Sequence, residues 1–577
     1  MSRARLLGSA SIMIFSLTLW SSANETVGGS TPSVPAAALC VSRPGGQAVP
    51  ATLAQWAEGA QLFDGLGNFH RQVTTSSPAA QAWFDQGMRY LWSFNHDEAT
   101  RSFAKAATLD PGCAMCFWGV ALTVGPNYNL PMMVEARANV AFEALQQATM
   151  LSSRATPVEQ ALISALAARY PNAQPLDPTT EAPVLAAYAR SMKSVAQTYR
   201  GDADVQTLTA EALMNVNAWK LWALDGTPAE GTNEIVSILE SVLANHPQHP
   251  GANHYYIHAV EASLHPERAV SAAERLPGMM PAAGHLEHMP AHIMQRVGRY
   301  ADAAEANRKG AAADLMYFAK TTPPDYYAMY TGHNYQFLAF STAMEGRKAD
   351  TLDATRKSRA IVSDDLALAM QGSDWYLGET YAANVRFGLW DEMLAEPPPN
   401  PKLVGLTAAY HYGRASALAA KGRVQEAITE QQVLEKIAAA VTADDPAGLN
   451  AAKDVLAVAV LVTGARIATA EAKPDDAIRM LTEATAKEDA LAYDEPSDWF
   501  FPVRHILGVA LLKAGRAPDA EAVYREDLRR HPENGWALLG LQQALTAQQK
   551  DPESQDVRRR FQAAWKGADM LPTASAF

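Results

Sequence analysis

From about residue 50 onward, hydrophobic residues recur at intervals of three and four, the spacing of helices with one buried face. Alanine and leucine dominate these stretches, and alternating runs of β-branched residues, which are typical of strands, are almost absent. The pattern therefore predicts an all-α protein. Ahead of these helices, residues 24–50 are rich in Gly, Ser and Pro and are predicted to form a flexible leader.

A nearly complete helix-pair signature lies between residues 80 and 113. Its characteristic positions hold Trp83, Gly87, Tyr90, Ala99, Phe103, Ala106 and Pro111, while Gln86 replaces the usual leucine. Small residues let two helices approach, large residues fill the space between them, and the proline ends the second helix. This spacing resembles the tetratricopeptide repeat (TPR). We expect an all-α, TPR-type helical solenoid, in which antiparallel helix pairs stack into a superhelix.

The same phasing recurs along the rest of the chain, which predicts one continuous core instead of several globular domains. Further units begin near Asn253, Gly284, Gly332, Asp374, Ala408 and Phe501. The proline-rich residues 396–400 are predicted to join an N-terminal TPR array, residues 51–395, to a C-terminal array, residues 401–577. Residues 493–499 are predicted to form a further loop.

Residues 1–23 have the composition of a secretory signal peptide. Basic residues up to Arg5 precede an apolar stretch from Leu6 to Trp20, and small residues end at Ala23. This stretch is too short for a typical membrane span, and no later segment has the required length and continuity. We expect cleavage after Ala23, a periplasmic or secreted location, and no membrane association after cleavage. An uncleaved anchor is the alternative.

The net charge of the chain restricts the class of partner that it is expected to bind. A formal net charge of −13 argues against a nucleic-acid partner, because phosphate binding requires a basic surface. The chain also has no phosphate-binding loop of the Walker type, no GxGxxG after a strand and no nucleophilic serine elbow. Nucleotide-driven chemistry is therefore disfavoured.

Three cysteines, Cys40, Cys113 and Cys116, are too few for a disulfide-stapled scaffold. The CxxC pair lacks the βαβ context of a thioredoxin, the second CxxC of a zinc ribbon and the following histidine of a c-type haem site. Two interpretations remain for Cys113 and Cys116: a local structural disulfide, or two buried thiols.

Four strings of the sequence resemble those of a bacterial family of exported TPR proteins. They are Phe94-Asn-His-Asp-Glu-Ala99, Cys113-Ala-Met-Cys-Phe-Trp-Gly119, His288-Met-Pro-Ala-His-Ile293 and Tyr524-Arg-Glu-Asp-Leu528. The resemblance covers residues 75–550 and implies the fold and export, while it assigns no activity. Gln336 departs from the family pattern, which has a second histidine at that position after His333.

Half of the fourteen histidines lie between residues 254 and 333. Combined with the TPR resemblance, helical periodicity places one face of each unit's first helix toward the concave groove. Six histidines in three successive units fall on this face: His254, His258, His285, His288, His292 and His333. Glu261 is the only carboxylate that we place on it, because Glu287 falls on a packing position. The sequence thus predicts a stretch of groove lined by imidazoles.

Imidazole is a common ligand of copper, zinc, nickel and iron, and histidines four residues apart on a helix can share one ion. We expect the six histidines to bind a transition-metal ion, with copper favoured and zinc or iron as alternatives. A di-iron carboxylate centre is disfavoured because it requires more carboxylates than Glu261. Glu261 is expected to be a ligand or the catalytic base. The competing interpretation is that each histidine is a satisfied polar residue of a groove that binds peptide.

These residues favour a metal-dependent oxidoreductase acting on a small molecule, with a hydrolase as second choice. Tyr326, Tyr327 and Tyr330 are expected either to pack between helices or to wall its pocket. Two alternatives come from other classes: a scaffold for a peptide or protein, the usual role of a TPR groove, and a metal capture or delivery protein without turnover. The residues expected to have no role in the site are Met289, Met294, His96, His246, His249 and His505, and His265 falls outside the pattern of the cluster.

Overall fold

The chain folds into a succession of α-helices joined by short turns. The computed structural model describes residues 49–131, 133, 135–176, 181–323 and 326–577. The predicted signal peptide, residues 1–23, and the predicted leader up to residue 48 lie outside the described residues. None of the described helices is both long and apolar enough to cross a lipid bilayer.

The first fourteen described helices are α1 to α14. Their bounds are α1 (Leu53–Ala57), α2 (Pro78–Trp92), α3 (His96–Leu109), α4 (Ala114–Thr123), α5 (Glu135–Leu151), α6 (Pro157–Leu166), α7 (Ala182–Thr198), α8 (Ala203–Met214), α9 (Thr232–Asn245), α10 (Pro250–Val260), α11 (Val270–Arg275), α12 (Gly284–His288), α13 (Pro290–Arg296) and α14 (Tyr300–Phe318). Short 3₁₀ helices occupy Ser152–Arg154, Asn215–Asn217 and Pro266–Ala269.

The remaining helices are α15 to α28. Their bounds are α15 (Tyr327–Met344), α16 (Lys348–Ile361), α17 (Asp364–Ala369), α18 (Asp374–Leu377), α19 (Glu379–Arg386), α20 (Trp390–Ala395), α21 (Val404–Ala420), α22 (Val424–Ala440), α23 (Ala452–Ala470), α24 (Pro474–Asp489), α25 (Val503–Lys513), α26 (Ala517–Arg530), α27 (Gly535–Ala547) and α28 (Asp551–Ala564). A two-stranded antiparallel sheet, β1 (Pro446–Ala447) and β2 (Asn450–Ala451), interrupts them between α22 and α23.

The predicted repeat at residues 80–113 forms the helix pair α2 and α3. The Ser77 hydroxyl caps α2 by accepting a hydrogen bond from the amide of Ala80. The Phe103 ring of α3 lies against Gly87 of α2 and Gly119 of α4, where an added Cβ would overlap the ring. The small residues thus let three helices pack around one aromatic side chain, as the repeat signature predicts.

Neighbouring helices pair in the same way along the rest of the chain, as in α14 with α15, α21 with α22, α23 with α24 and α27 with α28. The predicted fold, an all-α TPR-type solenoid of stacked helix pairs, is therefore confirmed. One large hydrophobic core extends from Trp56 to Ala306 and also includes Phe337, and a second extends from Val362 to Val557. Residues 396–400 are non-helical, and their role as a joint between two arrays stays a prediction.

The starts of several predicted units differ from the structure, and the largest difference is at Gly332. Gly332 was expected to open a unit, whereas α15 begins five residues earlier, at Tyr327. Gly332 instead lies where an added Cβ would come close to Val362, at the end of α16. A glycine is needed here for close helix packing, and helical periodicity continues through it, so the sequence pattern does not mark where the helix begins.

The C-terminal helices pack back on the middle of the solenoid. Trp536 of α27 donates its indole N–H to the carbonyl of Ala343 at 2.7 Å. Between α24 and α25, the Tyr493 hydroxyl donates to Oε2 of Glu261, directly after α10, at 3.1 Å. This return brings a loop of the C-terminal part over the region that contains the histidines.

Cys113 and Cys116 are joined by a disulfide at the start of α4, with their Cα atoms 5.4 Å apart. Cys113 is also the N-cap residue, and its sulfur accepts a hydrogen bond from the amide of Cys116. The sequence left two alternatives for this pair, a local disulfide or two buried thiols, and the structure has the disulfide.

Candidate metal centre

Six histidines converge in the interior of the solenoid. This histidine cluster consists of His254 and His258 from α10, His285 and His288 from α12, His292 from α13 and His333 from α15. The first five are at most 6 % exposed, and His333 is partly buried. The residues that the sequence grouped are therefore close in space. They are buried instead of lining an exposed groove, and Tyr493 and Glu495 of the C-terminal part contact Glu261 and His292 beside them.

Three of these imidazoles have one ring nitrogen engaged by an oxygen that can only accept. His254 donates its Nδ1 hydrogen to the carbonyl of Trp92 at 2.6 Å. His258 and His292 donate their Nδ1 hydrogens to Oε1 and Oε2 of Glu261, at 2.7 and 2.6 Å. Each neutral ring therefore has its lone pair on Nε2, and each Nε2 is available as a ligand atom.

His288 and His292 face each other through Nε2 atoms that are 2.7 Å apart. Nδ1 of His288 donates to Oδ1 of Asn307 at 2.7 Å. The orientation of that amide is set because its Nδ2 donates to the carbonyl of Ala303. Since both Nδ1 atoms are donors, the Nε2 lone pairs are directed at each other whenever both rings are neutral. A shared cation or an added proton is needed to make this contact favourable.

In the other half of the cluster, the Nε2 atoms of His254 and His285 are 3.1 Å apart. One tautomer of His285 can satisfy this contact as a hydrogen bond. Nε2 of His258 is buried and has no hydrogen-bond partner among the described residues. An unsatisfied buried nitrogen of this kind is costly in a folded protein and is expected where a ligand completes the site.

The ligand atoms fall into two groups of three histidines, and within each group they lie within 4.8 Å of one another. The groups are His254, His258 and His285, and His288, His292 and His333. A third combination joins His258 and His292 with Glu261. In that combination the Nδ1 atoms already donate to the carboxylate. The residues present therefore fit a metal best through the Nε2 atoms, with Glu261 as the hydrogen-bond acceptor behind two rings.

Burial keeps several of these rings neutral. Desolvation, with neighbouring imidazoles adding to it, lowers the pKa of His254, His285 and His288 well below the usual value. Desolvation also lowers the pKa of His333 to about 3. The Phe94 ring, whose centroid is 4.5 Å from that of His254, is part of the apolar surroundings. Neutral imidazole is the form that binds metal ions.

Glu261 is ionised in this setting. Burial alone would raise its pKa, but the charge and hydrogen bonds of His292 and His258 outweigh burial and hold the pKa below the ordinary value. Oε2 also accepts the Tyr493 hydroxyl at 3.1 Å, and Arg296 donates to the backbone carbonyl of Glu261 at 2.8 Å. This environment suits a carboxylate that orients two imidazoles, and the catalytic role of Glu261 stays a prediction.

The loop after α24 supplies a second carboxylate that the sequence did not connect to the histidines. Oε1 of Glu495 lies 3.8 Å from Nδ1 of His292. Its Oε2 is buried and unpaired in the described part of the chain. Burial raises the pKa of Glu495 well above the usual value, and the charges of Glu261 and Asp494 raise it further. Glu261 is thus not the only carboxylate beside the cluster. No local pattern could have shown this, because 232 residues separate Tyr493 of the same loop from Glu261.

A cavity of about 290 Å³ reaches the cluster. Four of its lining residues are His258, His285, His292 and His333. Its apolar walls include Leu130, Trp219, Met329 and Tyr330, and Asp494, Glu495 and Gln336 contribute polar groups. The cavity therefore joins the imidazoles to a space of small-molecule size.

Tyr326, Tyr327 and Tyr330 were expected either to wall a pocket or to pack between helices, and both roles occur. Tyr326 and Tyr330 line the cavity. Tyr327 packs against Tyr317, with ring centroids 5.2 Å apart. Asp325, which precedes them, lies outside the described residues.

The five histidines that the sequence left out of the site do not belong to the cluster. His265 and His246 are exposed, and His249 caps α10 and contacts Asp204 at 2.9 Å. His505 contacts Asp527 at 2.9 Å. His96 is buried, and its two ring nitrogens have no hydrogen-bond partner within the described ranges. Met289 and Met294 are core residues, as expected.

Asp314 of α14 supports the helices that present the histidines. Its Oδ2 accepts hydrogen bonds from Asn334 at 2.8 Å and Thr331 at 3.1 Å, both in α15. Its Oδ1 lies where a Cβ on Gly284, the first residue of α12, would overlap it. Burial raises the pKa of Asp314 to about 8, although the two hydrogen bonds partly oppose the shift.

The Asp314→Asn variant is expected to gain stability relative to the native chain as the pH rises. The folded protein keeps the proton on Asp314 up to about pH 8, whereas the unfolded chain loses it near pH 4. Unfolding therefore releases a proton between these pH values, and rising pH favours unfolding. By pH 8 the variant should be more stable by roughly 2 kcal/mol or more. Urea unfolding at pH 4.5, 6 and 8 measures the difference, and exposed Asp64→Asn is the control. A difference that does not change with pH would contradict the prediction.

Comparisons with known proteins do not assign a family to this chain. No protein-family model matches it, and no curated protein matches it. Among solved structures, the Cut9–Hcn1 hetero-tetramer of APC/C has a TM-score of 0.31 and 13 % identity, over 86 % of this chain and 79 % of that one. The human IFIT1 dimer with PPP-AAAA has a TM-score of 0.31 and 12 % identity, over 89 % and 99 % of the two chains.

Yeast Tom70 has a TM-score of 0.28 and 10 % identity, over 83 % of this chain and 99 % of its own. These similarities are too distant to transfer a ligand, a partner or an activity.

Proposed function

We propose that this protein is an exported metal-dependent oxidoreductase that binds a transition-metal ion in the histidine cluster and acts on a small molecule. Copper is the favoured metal, with zinc or iron as alternatives. The observation that carries the proposal is the 2.7 Å contact between the Nε2 atoms of His288 and His292. Both Nδ1 hydrogens are already donated, so a cation between the rings relieves the repulsion of their lone pairs.

The donor set supports copper. It consists of imidazoles, and no cysteine contributes to it among the described residues. Nitrogen sites bind Cu²⁺ more tightly than the other divalent first-row metals, and imidazole suits both copper and zinc. A bound copper ion supplies one-electron chemistry with oxygen, whereas zinc supplies only Lewis acidity.

Hydrogen bonds of the chain would position the ligands before metal arrives. Glu261 holds His258 and His292, and Asn307 holds His288, each through Nδ1. Acceptors of this kind behind ligating histidines fix the tautomer and orient the ring. The residues of α10, α12 and α13 are thereby set for binding with little reorganisation.

Burial of the cluster favours a small molecule over a peptide at this place. A TPR groove is commonly an interaction surface, and a scaffold role at other surfaces remains an alternative. Here, however, Tyr493 and Glu495 of the same chain cover the imidazoles. The cavity of about 290 Å³ lies at the lower end of ligand-site sizes, which suits a small substrate. It also favours turnover over metal storage, which needs no such space.

Export is supported by the predicted signal peptide and by the Cys113–Cys116 disulfide, since disulfides persist in oxidising compartments. A periplasmic or secreted location is therefore part of the proposal. A fusion of residues 1–23 to a reporter that is active only after export would test it, and Arg5→Glu with Leu6→Glu in the fusion is the control.

Metal analysis of protein purified without a histidine tag tests the proposal. We expect at least one equivalent of copper, zinc or iron per chain, retained through gel filtration. The metal-loaded protein is then assayed for oxygen uptake with small phenols, alcohols and amines. Absence of stoichiometric metal after reconstitution of the folded chain would refute metal binding. Bound metal without oxygen uptake, together with ester or amide hydrolysis, would replace the oxidoreductase by a hydrolase.

A further inference from the structure

The histidine cluster divides into two complete ligand sets. The first group is His254, His258 and His285, and the second is His288, His292 and His333. The two groups share no residue. Each provides three imidazoles, and three protein ligands are the usual number in catalytic sites that keep a coordination position for substrate.

Glu261 connects the two groups. One carboxylate oxygen accepts from His258 of the first group at 2.7 Å, and the other accepts from His292 of the second group at 2.6 Å. The centroids of these two rings are 5.5 Å apart. A buried negative charge therefore lies behind both groups at once, where it stabilises positive charge in either of them.

An acidic side chain lies beside the second group. Oε1 of Glu495 is 3.8 Å from Nδ1 of His292, and its other carboxyl oxygen is buried without a partner in the described part of the chain. The charge of Arg296 acts on Glu495, and Arg296 stacks on Tyr493 at 5.1 Å. A buried oxygen without a partner is expected where a ligand completes the site.

The cavity faces both groups. His258 and His285 of the first group and His292 and His333 of the second all line it. A molecule that enters it would meet positions in front of both groups.

We propose that each group binds one metal ion, so that the protein has a two-ion centre, and that the cavity presents a small, mainly apolar molecule with one hydroxyl or amino group to both ions. This inference rests on the proposed function. The walls of Leu130, Trp219 and Met329 suit an apolar body. The carboxyl groups of Asp494 and Glu495 suit a head that donates hydrogen bonds.

Copper titration of the full-length metal-free chain tests the number of ions. We expect two equivalents of Cu²⁺ to remain after dialysis. The double variant His254→Gln/His285→Gln should retain one equivalent, and so should His288→Gln/His333→Gln. His411→Gln, outside the cluster, should retain two. Thermal melting by circular dichroism shows that each variant is folded, and the native chain alone decides the stoichiometry if a variant is not.

The outcomes separate the two proposals. One equivalent in the native chain would overturn the two-ion centre and leave the proposed metal binding intact. Retention of no copper, and of no zinc or iron in the same assay, would overturn both. Loss of all copper in each folded double variant would show a single site shared by the two groups. Electron paramagnetic resonance adds an independent readout, because two nearby Cu²⁺ ions are expected to give a half-field transition that both double variants lose. Two bound ions whose signal integrates to two isolated, uncoupled Cu²⁺ ions would overturn a common centre.

Phenol is the probe for the cavity. Met329→Trp, which fills the apolar wall, should weaken phenol binding to the copper-loaded protein by at least ~10-fold. The copper stoichiometry should not change, because Met329 belongs to neither ligand group. Met316→Trp, at a side chain that is 65 % exposed, is the matched control. Equal phenol affinity in the two variants would overturn the assignment of the cavity as the binding place.

Discussion

The His292→Ala variant is expected to lose more than about 100-fold in metal affinity, the upper range for the loss of a residue that only supports a ligand. His292 contacts His288 through Nε2 at 2.7 Å and Glu261 through Nδ1 at 2.6 Å. Its removal deletes a ligand atom and also frees one oxygen of the buried carboxylate. No other ring in the cluster combines these two contacts.

Competition with a chelator of known affinity measures this change in the folded variant. His265→Ala is the control, since His265 lies in the same stretch of sequence but its side chain is 72 % exposed. Truncation of a buried side chain costs about 2–4 kcal/mol of stability, so the unfolding midpoint of the variant must be determined first. Unchanged metal affinity in folded His292→Ala would show that the cluster is structural.

The Glu261→Gln variant is expected to lose about 10- to 100-fold in metal affinity, the range found when an acceptor behind a ligating histidine is removed. The carboxylate accepts from both His258 and His292. The carboxylate has two acceptor oxygens, whereas the amide of Gln has one oxygen and an NH₂ group that donates. One of the two Nδ1 hydrogens therefore loses its acceptor. That ring is then free to change tautomer or turn, which removes its Nε2 lone pair from the centre.

Glu287→Gln provides a matched control for this variant. Glu287 is also buried, but its carboxylate accepts from the amide of Gly278 at 2.7 Å and does not face the cluster. Metal affinity should be unchanged in it. If Glu261→Gln binds metal like the native chain and loses only turnover, Glu261 is a catalytic base and the orienting role is wrong.

Much of the fold is predictable from local patterns. The spacing of Gly87 and Phe103 predicted a close helix pair, and the ring of Phe103 does lie against that glycine. The grouping of six histidines could also be predicted from the sequence. Spacings of i, i+4, such as His254 with His258 and His288 with His292, put imidazoles on one helical face. Pro290 interrupts the second pair between α12 and α13 without separating the two rings.

The surroundings of the histidines were not predictable in the same way. The sequence placed them on an open groove, with Glu261 as the accompanying carboxylate. The structure places Glu495 3.8 Å from His292 and covers the cluster with a loop. Asn307, which sets the tautomer of His288, belongs to α14 and carries no pattern that marks it as a partner.

The sequence by itself determined the helices, their pairing into repeats and the set of imidazoles on successive inner faces. These depend on side chains a few residues apart, whose spacing along a helix is set by its fixed period. Only the tertiary structure decided that the imidazoles are buried, which carboxylates approach and which ring nitrogens are donors. The rotation between successive repeats is small, and it accumulates over many units. The position of residue 495 relative to residue 261 therefore depends on every packed helix between them.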